Sequence, residues 1–89
     1  MKVLVLYRPD SEHASATESF LRDIEDRHEV ADKLQVVNID SREGVDVASL
    51  YDIVQYPGIL ILDDFGSVVH SWQGDSFPLI DEIVGYVIS

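Results

Sequence analysis

Cysteine is absent from this chain of 89 residues, and positively charged residues are scarce. Without a thiol, the chain can form no disulfide, no thiolate metal site and no thiol-based catalytic centre. Six lysines and arginines stand against 17 aspartates and glutamates, which gives a net charge of −11. An acidic surface of this kind repels phosphate backbones and anionic lipid. We therefore expect neither nucleic acid nor membranes as partners.

Long apolar segments are missing as well. The opening run from Val3 to Tyr7 is followed at once by charges at Arg8 and Asp10, which is too early for a secretory signal. No run approaches the roughly 20 apolar residues that a membrane-spanning helix needs. These absences predict a cytoplasmic protein. The length and the 46% of apolar residues predict a single domain over residues 1–89.

The first half of the chain predicts a βαβ unit. Val3 to Leu6 and Leu34 to Asp40 are apolar, β-branched runs that are typical of buried strands. Between them, apolar residues recur at the spacing of one helix face, with Asp10 or Ser11 as the candidate cap. The predicted face consists of Ala16, Thr17, Phe20, Leu21, Ile24 and His28. A right-handed crossover is expected for such a unit.

The second half predicts a helix, a hairpin and a last helix. Ser41 is the expected cap of the first of these helices, whose apolar stripe is predicted to contain Val47, Ala48, Tyr51 and Val54. Strands Ile59–Leu62 and Val68–Trp72 flank a tight turn with Gly66, as in an antiparallel hairpin.

The last helix is expected to begin with a cap at Asp75 or Ser76 and with Pro78 in its first turn. Its predicted apolar face consists of Leu79, Ile80, Ile83, Val84 and Val87. The whole order is βαβαββα, which predicts an α/β domain with a four-stranded mixed sheet flanked by three helices.

This order resembles the thioredoxin superfamily over nearly the whole chain. The segment "VVNIDSREGVDVASLYDIVQYPGILIL" is similar to that family's strand, connecting helix and proline-containing segment before its hairpin. The resemblance implies that Pro57 follows a cis peptide bond and faces the loop from Pro9 to Ala14. It also implies that the first and last helices cover one face of the sheet, and the middle helix the other.

The departures from that family concern its redox chemistry. Redox members carry Cys-x-x-Cys at the start of the first helix, where this chain has Ser11-Glu12-His13-Ala14. Thioredoxins also keep an aspartate and a lysine for proton handling, and the aligned positions here are Val5 and Val36. A serine hydroxyl cannot cycle through a disulfide, so these departures exclude a dithiol oxidoreductase.

Ser11 and His13 each have a chemical interpretation beside a structural one. Resemblance to glutathione transferase-like relatives implies that Ser11 could orient glutathione, whereas a capping or surface serine is the interpretation we favour. His13 could act as an acid or base, but residues i and i+2 point to different sides of a helix, so an exposed histidine is favoured. The three histidines lie on separate predicted elements without ligand spacing, so no metal site is expected.

The segment Tyr56-Pro57 gives the functional prediction. The resemblance implies that the main-chain groups of Tyr56 are free to pair with an extended peptide, although the turn also has a purely architectural interpretation. We expect a redox-inactive protein-binding or regulatory module without a catalytic residue or cofactor. The predicted binding residues are Asp10, Ser11, Glu12, His13, Tyr56 and Pro57.

Other interpretations of function stay open. The loop after the first strand loosely resembles the small thiol-free thioredoxin-like regulator of the circadian system, which acts by docking to an ATPase. The alternative from another class is a transferase-like enzyme that binds glutathione through Ser11. A third is a domain that mainly self-associates, since the sequence names neither the partner nor the oligomeric state.

Overall fold

The structure, a computed structural model, describes residues 1–74 and 77–88 of the chain. Strands alternate with helices through its first half, and a hairpin precedes the last helix. The elements are β1 (Lys2–Tyr7), α1 (Ala14–Glu25), α2 (His28–Ala31), β2 (Leu34–Asn38), α3 (Arg42–Leu50), β3 (Gly58–Leu62), β4 (Val68–Gln73) and α4 (Ile80–Ile88). The caps predicted at Asp75 and Ser76 lie outside the described residues.

The four strands form one mixed sheet in the order β2-β1-β3-β4. β1 is parallel to β2 and antiparallel to β3, and β3 is antiparallel to β4. β1, β2 and β4 therefore end where β3 begins, with Leu6 opposite Gly58 and Gly58 opposite Gln73. We call this the loop end of the sheet, because the connection from β1 to α1 leaves from it.

Each face of the sheet carries its own apolar core, because neighbouring residues of a strand point to opposite faces. On one face α1, α2 and α4 pack over the alternate residues of β1 and β3. That core contains Val3, Val5, Tyr7, Ala14, Phe20, Leu21, Ile24, Val30, Ile59, Ile61, Ile83 and Val84. On the other face α3 packs over Leu4, Leu6, Val37, Ile39, Ala48, Ile53, Leu60 and Leu62. This placement of α1 and α4 against α3 is the one predicted.

Among the described residues four helices lie beside the sheet, not the three that were predicted. α2 is a single turn that follows the extended residue Arg27. It brings Val30 to full burial in the core beneath α1 and α4. One turn is too short to show a helical period, which is why the sequence pattern missed it. His28 was predicted as part of the first helix, but α1 ends at Glu25 and His28 begins α2.

Three apolar residues lie outside the faces predicted for them. Ala16 is exposed, because the buried face of α1 is centred on Thr17, Leu21 and Ile24. Val54 is 79% exposed, because α3 ends at Leu50 and the helical stripe ends with it.

Leu79 is 70% exposed, because α4 begins only at Ile80. Pro78 also precedes the helix and does not occupy its first turn. The Glu82 carboxylate accepts a hydrogen bond from the Leu79 N–H at 3.1 Å, so Leu79 lies at the junction and not on the buried face. Within the ranges described, no helix combines the length and apolar character required to cross a membrane.

The connection from β2 to α3 is short and closed by side chains. Asn38 ends the strand, and its Oδ1 accepts a hydrogen bond from the Asp40 N–H at 2.8 Å. The Ser41 hydroxyl donates to the Asn38 carbonyl at 2.6 Å and accepts from the Gly44 N–H at 2.9 Å. Ser41 is therefore the N-cap of α3, as predicted.

Candidate functional site

The loop between β1 and α1 is closed by hydrogen bonds of its own. The predicted helix caps at Asp10 and Ser11 are wrong, because α1 begins at Ala14 with His13 in the capping position and without a side-chain cap. The Ser11 hydroxyl donates to the Arg8 carbonyl at 2.5 Å, and the Ser11 carbonyl accepts from the Ala14 N–H at 3.1 Å. Ser11 therefore closes a turn before the helix.

His13 takes part in the same loop. The Arg8 N–H donates to Nε2 of His13 at 3.2 Å, and the imidazole lies edge-on to the ring of Tyr7 at 6.4 Å. His13 and Ser11 are not hydrogen-bonded to each other, so the geometry contains no acid–base pair between them.

Asp10 and Glu12 present their carboxylates to solvent. Both residues are exposed, and neither carboxylate accepts a hydrogen bond or pairs with a base within residues 1–74 and 77–88. Asp10 has φ of 66°, a left-handed conformation that aspartate tolerates better than most residues. The loop thus carries two unpaired negative charges at the loop end of the sheet.

Tyr56 and Pro57 precede β3 at that same end. Their peptide bond is cis, Pro57 is buried, and Tyr56 is half-buried against the α3-side core. The Tyr56 hydroxyl donates to the Ile53 carbonyl at 3.2 Å. Its main-chain N–H and C=O, by contrast, have no hydrogen-bond partner in the part of the chain that the structure describes. A short stretch of main chain therefore stays open beside the sheet.

The sheet register places these two segments side by side. Leu6 lies opposite Gly58, so the next residues out, Tyr7 and Pro57, flank the same end of two adjacent strands. The six predicted site residues therefore collect at the loop end. Four of them follow β1 and two precede β3. No hydrogen bond between described residues joins the two groups.

Two polar pairs beside this loop escaped the sequence interpretation. The Tyr7 hydroxyl donates to Glu18 of α1 at 3.0 Å. The Arg8 Nε contacts both carboxylate oxygens of Asp40 at 3.1 and 3.2 Å, which ties the loop to the end of β2. The Arg8–Asp40 pair could have been found from the sequence, because the two residues follow strands predicted to be parallel, and parallel strands end at the same edge of a sheet.

The Tyr7 hydroxyl offers a test of this geometry. Burial, the hydrogen bond to Glu18 and the nearby carboxylates of Glu18 and Asp10 all raise its pKa above the ordinary value of 10.0. A raised pKa in the folded state stabilises the protein below the unfolded pKa, and that contribution is lost as pH rises through the folded pKa. In alkaline titrations of tyrosinate absorbance, the difference between the native chain and Tyr7→Phe should therefore have its midpoint above 10.0. A midpoint at or below that value would contradict the burial and bonding of Tyr7.

The chemistry available at the loop end is that of recognition. It has two main-chain hydrogen-bonding groups, two free carboxylates and a loop whose hydroxyl and imidazole already form hydrogen bonds within the loop. Elsewhere in the described ranges no group of three or more histidine, aspartate or glutamate side chains is placed to hold a metal ion. The main-chain groups of Tyr56 and the two free carboxylates at the loop end are of the kind that can pair with a polypeptide.

Comparison with solved structures identifies the architecture. The structure of thioredoxin 1 from the thermophilic eubacterium Thermosipho africanus TCF52B is similar with a TM-score of 0.70 at 15% identity, covering 99% of this chain and 91% of that one. The structure of a malarial protein is similar with a TM-score of 0.67 at 11% identity, covering 97% and 91%. No family model matches the chain, and no curated protein sequence does. At these identities the likeness establishes the fold, which is thioredoxin-like as predicted.

Proposed function

We propose that this thioredoxin-like domain, which has no thiol, is a redox-inactive module that binds an extended segment of a partner protein at its loop end. The observation that carries the proposal is the open main chain of Tyr56, whose N–H and C=O have no partner among the described residues. An extended segment laid beside Tyr56 would pair with both groups in the manner of an added strand.

The charge of the loop end supports a basic or polar partner segment. Asp10 and Glu12 are exposed and unpaired there, whereas Arg8, the base within the loop, is already bonded to Asp40. Opposite charges steer association more than they add affinity, and salt screens this steering. Binding is therefore expected to weaken as ionic strength rises.

The rigidity of the surroundings supports the same proposal. Tyr56 is anchored by its hydroxyl and ring, and the facing loop is held by the internal bonds of Ser11 and His13. A preorganised surface loses little conformational freedom when a partner binds. The partner can therefore bind without a large rearrangement of the Tyr56-Pro57 segment or of the loop from Pro9 to Ala14.

The direct test is an affinity capture from a lysate of the source cells with the native chain and with Tyr56→Asp. A partner held by the loop end should be lost with Tyr56→Asp, because this change removes the ring and hydroxyl that anchor the segment. It should be kept with Phe65→Asp, the same kind of change at an exposed aromatic residue in the turn between β3 and β4, at the opposite end of the sheet. Tyr56→Phe should keep the partner, since the main chain makes the proposed contacts. Equal capture by Tyr56→Asp, with an unchanged circular dichroism spectrum, would contradict the proposal.

Replacing Glu12 with lysine should slow association with the captured partner while leaving the melting temperature nearly unchanged. At about 0.1 M salt we expect the association rate constant to fall by about threefold to tenfold. Glu25→Lys is the charge-matched control, because Glu25 is also exposed but lies more than about 15 Å farther along α1, beyond the screening length. Asp10 is a poorer probe, because its positive φ would add backbone strain to the substitution. Equal rates for the two lysine variants would place the partner elsewhere.

No observation favours the glutathione-dependent enzyme as a second function. The Ser11 hydroxyl donates a hydrogen bond to the Arg8 carbonyl, and Ser11 lies before the helix, not within its first turn. In an NMR titration with millimolar glutathione we therefore expect no shifts at Ser11, Tyr56 and Ser71. Concerted shifts at all three residues would favour the enzyme over the protein-binding module.

A further inference from the structure

The last side chain of β4 is bonded to the main chain that precedes Tyr56. Gln73 ends β4 and lies opposite Gly58, the first residue of β3. Its Oε1 accepts hydrogen bonds from the N–H of Val54 at 3.3 Å and from the N–H of Gln55 at 3.4 Å. One side-chain oxygen therefore binds two consecutive main-chain N–H groups, those of the two residues directly before Tyr56.

The main chain on both sides of Tyr56 is bonded to the end of β4. Before Tyr56, two N–H groups donate to Gln73. After it, the Pro57 carbonyl accepts a hydrogen bond from the Gly74 N–H at 3.0 Å. The N–H and C=O of Tyr56 itself lie between these bonded groups and have no partner among the described residues. The position of the open groups therefore depends on the end of β4.

Packing does little to fix the two residues before Tyr56. Val54 is 79% exposed, and Gln55 is exposed as well. Neither residue belongs to a helix or strand, because α3 ends at Leu50 and β3 begins only at Gly58. Backbone that no contact holds samples several conformations, and ordering it costs conformational entropy. The two bonds to Gln73 are thus what the structure provides to fix this stretch.

We propose that Gln73 is a positioning residue of the loop end, whose side chain holds the main chain before Tyr56 in the conformation that leaves the Tyr56 N–H and C=O open to a partner. A segment that is already held loses less conformational freedom when the partner binds. Gln73 acts through Tyr56 and need not touch the partner. Its effect on binding rests on the proposed function, whereas its bonds to Val54 and Gln55 are a property of the free chain.

Two substitutions separate the acceptor of Gln73 from its size. Gln73→Glu keeps an oxygen at the same distance from the main chain, and an ionised carboxylate accepts hydrogen bonds more strongly than an amide. Gln73→Met has a similar length, but its sulfur accepts hydrogen bonds only weakly. Gln35→Met is the matched control, because Gln35 lies on β2 at the other edge of the sheet and bonds through its amide to Glu43.

The first measurement is amide hydrogen exchange of the free chain, followed by NMR. After correction for intrinsic rates, Val54 and Gln55 should exchange at least about threefold more slowly than Tyr56, whose N–H has no acceptor among the described residues. Gln73→Met should bring both to the rate of Tyr56, whereas Gln73→Glu and Gln35→Met should leave both protected. Unchanged protection in Gln73→Met would overturn the proposal.

The second measurement is the affinity for the partner that the loop end captures. Gln73→Met should raise Kd by about threefold to tenfold, because the segment must then be ordered during binding. Its melting temperature should stay within about 5 °C of that of the native chain, since the bonds to Gln73 lie at the surface. Gln73→Glu should bind at least as tightly as the native chain, and Gln35→Met should bind equally. A purely structural role would lower the melting temperature together with the affinity.

The two measurements distinguish failure of this inference from failure of the proposed function. If a partner that Tyr56→Asp loses binds Gln73→Met as tightly as the native chain, the positioning role is overturned and the proposed function stands. If the captured partner ignores Tyr56→Asp, the proposed function is overturned, and the role of Gln73 in binding is overturned with it. Hydrogen exchange in the free chain then still decides whether Gln73 holds the segment.

Discussion

Replacing Gly44 with alanine is expected to destabilise the fold severely, whereas the same replacement at Gly85 is expected to stabilise it. Gly44 lies in the first turn of α3, where the short connection from β2 folds the helix back over the end of the strand. A Cβ atom at Gly44 would overlap the Asn38 carbonyl oxygen and lie 2.7 Å from Cα of Ile39. These are main-chain atoms, so no side-chain rotation can relieve the overlap.

The expected cost at Gly44 is therefore the displacement of α3 from β2. We expect a loss of about 3 kcal/mol or more, in the range of severe core defects. For a domain of this size that is a fall in melting temperature of more than about 12 °C. The Ser41 cap would weaken too, because it depends on the position of the Gly44 N–H.

Gly85 provides the matched control. It lies within α4, and a Cβ atom there would have no neighbour within 4 Å. Alanine should stabilise this position by about 0.5–1 kcal/mol, because glycine loses more conformational freedom in a helix. Thermal unfolding followed by circular dichroism measures both variants. A Gly44→Ala chain that melts within about 3 °C of the native chain would show that α3 does not pack on β2 as described.

Truncation of Ile61 to alanine is expected to remove a large part of the stability of the domain. Ile61 is fully buried in the middle of β3, between Val3 of β1 and His70 of β4, under α1 and α4. Burial of the Ile61 side chain removes apolar surface from water. The truncation to alanine loses that stabilisation and also leaves a cavity in the core. The expected cost is about 2–5 kcal/mol, against a total stability of about 5–13 kcal/mol for a chain of this length.

Ile88→Ala is the control for that truncation. Ile88 is 64% exposed at the end of α4, so the same chemical change should cost at most about 0.5 kcal/mol. Urea denaturation of the two variants compares them directly. If Ile61→Ala costs no more than Ile88→Ala, then β3 does not carry the central core that the structure assigns to it.

The sheet and its two cores could be predicted because their signals are local and repeated. Val3 to Leu6 and Ile59 to Leu62 are uninterrupted apolar runs, which indicate central strands buried on both faces. Ser41 directly precedes a helical period, so its role as a cap was visible as well. The order of these elements then narrowed the architecture to one known arrangement.

The details that escaped prediction depend on distance in space or on very short elements. α2 is a single turn, and the burial of Val30 depends on its contacts with α1 and α4, not on any sequence period. The start of α1 at Ala14 depends on Ser11 bonding back to Arg8 and leaving its capping role. In both cases a contact that the local sequence pattern does not reveal determines where the helix lies or begins.

The candidate site divides in the same way. Its location could be predicted from the resemblance to the thioredoxin superfamily, which implies that Pro57 faces the loop from Pro9 to Ala14. The bond from Tyr7 to Glu18 could not be predicted, since it depends on the angle at which α1 leaves the sheet.

The main-chain N–H of Tyr56 gives the most direct test of binding at the loop end. Its hydrogen exchange can be measured by NMR in the free chain and in the complex with the captured partner. In the free chain it should exchange rapidly, because no described residue accepts a hydrogen bond from it. In the complex its exchange should slow by about tenfold or more as the added strand pairs with it. Unchanged exchange at Tyr56, with protection appearing elsewhere on the surface, would contradict binding at the loop end.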